Sequence, residues 1–237
     1  MMPSDGLFQA NRLSPLFTVH VQEGVRKLNL PQECGKAVEQ IWQEQLKISG
    51  GKLFNGQLLC FGSLQEDMLT GKFVDYKYYL AQHIMPSLQP VLQIEPIGVS
   101  SLTVAGGKIL CGCRSRNVST YPEYFELAPS GGIDSGFVKG GMIDLKGQLV
   151  SELFEETGIH QENVVSAEPF ALVHDKLKGG YDICMKLQLK PEAQKKTLSK
   201  SHEYGSLSWK DKDELSKEIQ TKKNWVPLSV YLIEHFL

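Results

Sequence analysis

The first part of the chain carries both helical and strand patterns. Val38, Ile41 and Trp42 recur at helical spacing with polar residues between them, which predicts an amphipathic helix. The apolar residues 57–61 follow a glycine-rich turn and predict a strand. Residues 75–80 are typical of the start of a second helix. This part of the chain is therefore expected to form a small α+β module.

From Ile97 onward, the pattern changes to that of strands. The predicted strands cover residues 97–104, 108–114, 170–174, 181–187 and 205–209. The strongest helical pattern covers residues 144–157 and ends at Gly158, and Pro227 opens a short amphipathic helix near the end of the chain. This order predicts a mixed sheet flanked by helices, an α/β (α+β) fold. We expect an N-terminal module at 1–95 and a second domain at 96–237.

Composition narrows the class of protein. The 237 residues are 41% hydrophobic and 22% charged, with a net charge of −2, which is ordinary for a globular protein and predicts no nucleic-acid or membrane partner. No apolar run is long enough to span a bilayer, and the first residues lack a signal-peptide pattern. The five cysteines are odd in number and form no Cys-x-x-Cys pair, so no disulfide framework is expected. These features favour a cytoplasmic protein.

The predicted helix at 144–157 concentrates acidic residues on one face. Glu152, Glu155 and Glu156 stand at i, i+3 and i+4 and cover an arc of roughly 100°, while Leu149 and Leu153 lie on the other side. Three carboxylates this close repel each other, and a hard divalent cation such as Mg²⁺ or Mn²⁺ would offset the repulsion. A solvated acidic helix face is the alternative interpretation, because glutamate-rich exposed faces are common.

The surrounding residues favour the metal-binding interpretation. Residues 151–159, SELFEETGI, resemble the second half of the Nudix box, Arg-Glu-apolar-x-Glu-Glu-x-Gly-apolar, with Ser151 at the arginine position. Residues 129–132 resemble the glycine pair that opens the box. With the flanking segments, the resemblance covers about residues 96–237. It implies a Nudix-type α/β/α sandwich and a Mg²⁺- or Mn²⁺-dependent hydrolase whose small-molecule substrate is a nucleoside diphosphate linked to another group.

The resemblance also implies roles for the acidic residues. Glu152 and Glu156 would be the main metal ligands, and Glu155 would bind a further ion or assist catalysis. The general base in such enzymes lies either on this helix or in a later loop, and Glu203 is the loop candidate. The alternative for Glu203 is an ordinary exposed acid.

Phosphate contacts are expected from two arginines and from the opening glycines. Guanidinium groups fit phosphate oxygens in pairs, and strand alternation would point Arg114 and Arg116 to the same side. A solvated strand end explains both arginines equally well. Gly131 and Gly132, as the opening glycine pair, are expected to contact the substrate.

Short motifs of the first module bear on the substrate. Residues 37–42, 52–56 and 75–77 are similar to the leader region of Nudix enzymes that split UDP-sugars. A helix and a strand that merely pack on the catalytic domain would explain these motifs nearly as well. A UDP-sugar is therefore the preferred substrate, ahead of ADP-ribose-type and other nucleoside diphosphates.

Several departures from the family pattern leave alternatives open. The step from Gly132 to Glu152 is several residues longer and contains the extra segment 137–141, and the early glutamate of the box is missing. The arginine replaced by Ser151 normally braces the loop and a catalytic glutamate. The chain could thus be a catalytically impaired Nudix domain that binds a nucleotide or a protein. An isomerase on the same scaffold would need a catalytic cysteine, and none is identifiable. The resemblance also allows a homodimer.

Overall fold

The described strands form two mixed sheets. The computed structural model describes residues 6–196, 198, 201–221 and 224–237. The helices are α1 (Gln32–Ile48), α2 (Tyr76–Ile84), α3 (Gln89–Leu92), α4 (Leu145–Thr157), α5 (Lys212–Thr221) and α6 (Pro227–Phe236). The strands are β1 (Phe8–Arg12), β2 (Thr18–Val25), β3 (Gln57–Gln65), β4 (Met68–Asp75), β5 (Ile97–Ala105), β6 (Lys108–Arg114), β7 (Phe125–Leu127), β8 (Ser130–Gly132), β9 (Val138–Lys139), β10 (Met142–Ile143), β11 (Val164–Asp175), β12 (Gly180–Leu189) and β13 (Tyr204–Lys210).

The larger sheet is covered by helices on both faces. It contains eight of the described strands, in the order β1-β11-β12-β5-β6-β13 with β7 on β6 and β8 on β5, and β12 is parallel to β5. Leu149 of α4 is buried in one cluster with Val99 of β5, whereas Leu232 of α6 is buried in another with Leu102. Positions 99 and 102 point to opposite faces because side chains alternate along a strand. The predicted α/β/α sandwich with a mixed sheet is confirmed.

The smaller sheet carries the N-terminal helices. Its order is β3-β4-β2-β10-β9, and β2 runs parallel to β4. Val38 and Ile41 of α1 are buried together with Cys60 of β3 and Ala81 of α2. The helical spacing seen in the sequence therefore reflects the face that α1 packs against this sheet.

Each side of the predicted boundary between residues 95 and 96 contributes strands to the sheet formed mainly by the other side. Strand β1 pairs with β11 in the larger sheet, and the hairpin β9–β10 adds to β2 in the smaller one. One buried cluster also joins Val19 and Leu69 of the smaller sheet to Val99 and Leu149. The two sheets thus share a core, and the division of the chain into two domains stays a prediction.

Helix α4 begins and ends at the residues that its sequence predicts. The Asp144 side chain accepts a hydrogen bond from the Gly147 backbone N–H at 2.8 Å, which caps the first turn. Gly158 ends the helix in the left-handed conformation, with φ 74°. The capped helix fixes the direction in which the three glutamates leave it. No helix in the described part of the chain is long and apolar enough to cross a membrane.

Candidate active site

The three glutamates of α4 differ in exposure. Glu156 is 4% exposed, Glu152 is partly buried, and Glu155 is exposed. The expectation that Leu149 lies on the other side of the helix is wrong, because it stands seven residues from Glu156 and shares its face. The gradient follows from this geometry, because Glu156 lies nearest to the fully buried Leu149 and Leu153, and Glu155 lies furthest from them. The acidic face therefore turns from the protein interior at Glu156 to solvent at Glu155.

Glu156 is buried without a cationic partner among the described residues. Its Oε2 accepts a hydrogen bond from the Ser130 backbone N–H at 3.2 Å. Burial, and secondly the neighbouring Glu152 charge, raise the pKa of Glu156 to about 9. This carboxylate is thus ionised at neutral pH only when a positive charge lies beside it.

Glu152 lies against the glycine segment. A Cβ atom on Gly131 would overlap its carboxylate, so the close approach requires glycine at that position. Burial raises the pKa of Glu152 to about 7, and the charge of Glu155 adds to the increase. Glu152 and Glu156 together therefore form a pair of carboxyl groups for which the described part of the protein supplies no counter-charge.

Gln148 is a site residue that the sequence did not indicate. Its Nε2 donates to Oε1 of Glu152 at 2.8 Å, and its Oε1 accepts from the Asp134 backbone N–H at 2.9 Å. The side chain is only 2% exposed and joins helix α4 to the loop after Gly132. Gln148 thus braces loop and glutamate, the function that the resemblance assigns to the missing arginine. Ser151 instead donates to Oε1 of Glu155 at 2.7 Å.

A buried ion pair forms a second side of the site. Nη1 of Arg114 lies 2.5 Å from Oε1 of Glu126, which is 5% exposed, and Nη2 lies 3.5 Å from Oε2 of Glu203. Burial raises the pKa of Glu126, while the Arg114 charge opposes that shift. The sequence signal for Glu126 is an acid in an otherwise apolar strand. Arg114 therefore links the predicted base Glu203 to a buried carboxylate.

These side chains line one cleft of about 1050 Å³. The predicted site residues in its wall are Arg114, Gly131, Gly132, Glu152, Glu155, Glu156 and Glu203. Arg116 is not in this wall. Strand β6 ends at Arg114, so the alternation that was expected to align the two arginines stops there, and Arg116 instead pairs with Glu123 at 2.6 Å in solvent.

The cleft continues beyond the glutamates toward a differently charged end. Ser100 Oγ donates to Oδ1 of Asp182 at 2.8 Å, and burial raises the pKa of Asp182 to about 6. Nζ of Lys178 lies 3.8 Å from the ring centre of Tyr121. Lys52 of the N-terminal module also lines this end. Acids, lysines and an aromatic ring thus surround the space opposite α4.

The donor set fits a hard divalent cation that keeps water ligands. In the described part of the chain, no three His, Cys, Asp or Glu side chains are grouped closely enough to hold a metal ion by themselves. Magnesium usually retains several waters and binds through one or two carboxylates together with substrate phosphates. Glu152 and Glu156 supply such a pair, and their unneutralised charge matches a cation.

Comparisons with known proteins give low structural similarity only. No protein-family model and no curated protein sequence matches the chain. The solved structure of DR0079 from Deinococcus radiodurans is 15% identical, covers 58% of this chain and 80% of its own, and has a TM-score of 0.46. A MutT protein from Methanosarcina mazei is 21% identical over 59% of this chain and 91% of its own, with a TM-score of 0.42.

A third structure was solved with ligands. A bifunctional NMN adenylyltransferase/ADP ribose pyrophosphatase from Francisella tularensis, in complex with AMP and a manganese ion, is 14% identical over 65% of this chain and 49% of its own, with a TM-score of 0.41. Other structures in this range of similarity are described as Nudix hydrolases. Because the scores and identities are low, these similarities by themselves establish neither the fold nor the function of this chain.

Proposed function

We propose that the protein is a Mg²⁺- or Mn²⁺-dependent hydrolase that cleaves a nucleoside diphosphate linked to another group. The observation that carries the proposal is the pair Glu152 and Glu156, the first partly and the second fully buried in the cleft wall, with no cationic side chain of the described chain in an ion pair with either. Burying two like charges is costly unless a counter-charge is bound. A divalent cation meets that need and brings phosphate oxygens to the same place.

Each side chain then has a distinct task. Glu152 and Glu156 would hold the cation, which when bound polarises the diphosphate and lowers the pKa of a water molecule. Glu155, exposed at the cleft edge, would bind a further ion or assist, and Glu203 would accept the proton of the attacking water. Arg114 would contact phosphate, and its ion pair with Glu126 would hold the guanidinium in place.

Nucleotide sugars such as UDP-sugars are the proposed substrates, giving a nucleoside monophosphate and a sugar phosphate. The cleft volume of about 1050 Å³ suits a ligand of that size. Lys52 and Leu53, from the segment similar to UDP-sugar enzymes, line the cleft. Ser100 and Asp182 offer hydrogen-bonding groups for hydroxyl-rich or base moieties. The Gly131–Gly132 backbone would lie beside the diphosphate.

The test is a hydrolysis screen with the full chain, Mg²⁺ and Mn²⁺, across UDP-sugars, ADP-ribose, dinucleotides and nucleoside triphosphates. We expect a nucleoside monophosphate from UDP-sugars and loss of activity with EDTA. Glu156→Gln should lower kcat by about 100-fold or more, because the metal contributes several kcal/mol to the transition state. The matched control is Glu162→Gln, which removes an exposed carboxylate outside the cleft.

A second measurement separates loss of chemistry from loss of folding. Mg²⁺ should raise the Tm of the wild type and of Glu162→Gln but not that of Glu156→Gln. The Glu156→Gln protein should stay folded, because its buried position favours a neutral side chain. If the wild type hydrolyses no compound of the panel with either metal, the proposed hydrolase function is refuted.

One observation favours a second candidate, a catalytically impaired domain that binds a nucleotide without turnover. Ser151 stands where the family has a bracing arginine. Calorimetry distinguishes the two functions, since an impaired domain would bind a UDP-sugar in EDTA and release no product with Mg²⁺. The homodimer and the cytoplasmic location remain predictions, and sedimentation of the purified chain tests the former.

A further inference from the structure

A second concave site lies on the smaller sheet. This pocket of about 690 Å³ shares no lining residue with the cleft, among the residues that the structure describes. Two cations, Arg26 and Lys72, line it together with the amide side chains of Gln22, Gln89 and Gln93. All of its described lining residues belong to the N-terminal module, whereas the three glutamates of the proposed hydrolase site lie on α4.

Arg26 reaches the pocket because strand β2 is irregular. The pairing of β2 with β4 shifts between Val21 and Val25, so the bulged strand turns away from its neighbour. The Arg26 backbone N–H still donates to Phe73 O at 2.7 Å, which fixes the residue, and Nη1 donates to Gln93 O at 3.5 Å. Gln93 has φ 49°, a left-handed conformation that a non-glycine residue adopts at some energetic cost.

Lys72 enters the pocket from the adjacent strand. It stands opposite Cys60 in the β3–β4 pairing and is partly buried. Burial raises the pKa of the Cys60 thiol to about 12, and the charges of Arg26 and Glu95 act on it in opposite directions. Arg26, Lys72 and Cys60 all line the pocket.

Neither cation forms an ion pair within the described chain. No carboxylate among the residues that the structure describes forms an ion pair with Arg26 or Lys72. Glu95 is the one acid in the described lining, so two cations face a single carboxylate and the pocket carries an excess of positive charge. Such an excess attracts an anionic ligand.

The rest of the wall suits a polar, ring-bearing ligand. The Phe61 ring is stacked at 4.2 Å on Tyr181, which is itself stacked at 4.3 Å on His174, so the pocket has a rigid aromatic side. The three glutamine amides can donate and accept hydrogen bonds. An arginine and a lysine together are the usual partners of a phosphate group.

We propose that this pocket is a second ligand site, which binds a small phosphomonoester with its phosphate between Arg26 and Lys72. The remainder of the ligand, beyond the phosphate, contacts the glutamine amides and the Phe61 ring. This site is separate from the cleft and goes beyond the hydrolase function, which neither requires it nor depends on it.

The test uses calorimetry on the full chain in EDTA, with ribose 5-phosphate as the probe and ribose as the matched ligand without phosphate. We expect saturable binding of ribose 5-phosphate and none of ribose at the same concentration. The double variant Arg26→Gln/Lys72→Gln should weaken binding about tenfold or more, because it removes two charge-assisted contacts. The matched double variant Lys52→Gln/Lys178→Gln removes two cleft lysines and should bind as the wild type does.

Three results would overturn the proposal. These are absence of saturable binding, unchanged binding by Arg26→Gln/Lys72→Gln, or loss of binding by the cleft variant instead. Circular dichroism and Tm establish that each variant is folded. If the double variant unfolds, the single variant Arg26→Gln, at a partly exposed position, decides the question by the same criterion.

Discussion

The cleft and the pocket on the smaller sheet carry charged side chains of opposite sign, and in both regions these side chains have no ion-pair partner in the described chain. In the cleft, Glu156 is buried and Glu152 partly buried without cationic partners, whereas in the pocket Arg26 and Lys72 face only one acid, Glu95, and form no ion pair with it, as far as the described residues go. Each region is therefore less stable empty than it would be with a counter-charge bound. Their difference in sign leads to different ligands, a divalent cation in one and a phosphate in the other.

A buried charge that is neutralised within the protein gives the contrast. Lys210 is 9% exposed, and its Nζ lies 2.7 Å from Oε1 of Glu214 and 2.8 Å from Oε1 of Glu218. This lysine has its partners on the neighbouring helix α5, and its role is to hold strand and helix together. Burial alone thus does not mark a ligand site; burial without a partner does.

After Glu156→Gln, the largest effect on the cleft side is expected from Gly131→Ala. The added Cβ would overlap the Glu152 carboxylate and push it from its place beside Glu156. Displacement of a ligand by about 1 Å can cost on the order of 100-fold in rate. Stability should change little, because the atoms that must move are the end of the flexible Glu152 side chain. Steady-state hydrolysis and denaturant unfolding measure the two effects.

Gly132→Ala is the matched control for that change. Nothing lies within 4 Å of a Cβ atom added at Gly132, and its backbone is not in the left-handed region. This variant should retain wild-type stability and should lose much less activity than Gly131→Ala, because Glu152 keeps its place and only a methyl group is added beside the diphosphate. Equal losses in the two variants would mean that the close approach to Glu152 has no special importance.

A medium effect is expected from Asp182→Asn, which removes another unpaired charge of the cleft. Burial raises the pKa of Asp182 in the folded protein to about 6, above its value in the unfolded chain, so the folded state holds the proton more tightly. The resulting stability is complete below about pH 4 and is lost as the pH rises through about 6. Asparagine keeps an acceptor for Ser100 and removes this loss.

Denaturant unfolding of both proteins between pH 4 and 8 measures this effect. Asp182→Asn should be more stable than the wild type at pH 7 by about 2 kcal/mol, a figure reduced for the partial solvent access of the residue. The difference should shrink toward pH 4. Parallel pH curves for the two proteins would show that Asp182 is not an unpaired charge of the kind found at Glu156.

The smallest effect is expected from Arg116→Ala. Arg116 is exposed and paired with Glu123 outside the cleft wall, so a screened surface pair is all that is lost. The kcat/KM for the best substrate should stay within about twofold of wild type, in contrast to Gly131→Ala. A tenfold fall would bring this arginine back into the substrate site and weaken the distinction between paired and unpaired charge.

Local features of the site were predictable from the sequence. Helix α4, its end at Gly158 and the shared face of Glu152 and Glu156 depend on residues less than four turns apart, and the structure has them as the pattern indicates. The same holds for α1, whose buried residues are those with helical spacing. Strands β1 and β2 were not predicted, because β1 is short and polar and gains its place only by pairing with β11.

The sequence by itself determined the elements with a regular period, the acidic face of α4 and the sandwich class, since periodicity and helix caps act over a few residues. Only the tertiary structure decided which charges are unpaired. Arg114 meets Glu126 and Glu203 across different elements, Gln148 braces Glu152, and Arg26 and Lys72 line one pocket. Neutralisation of a charge depends on distances between residues far apart in the chain, and no local pattern contains those distances.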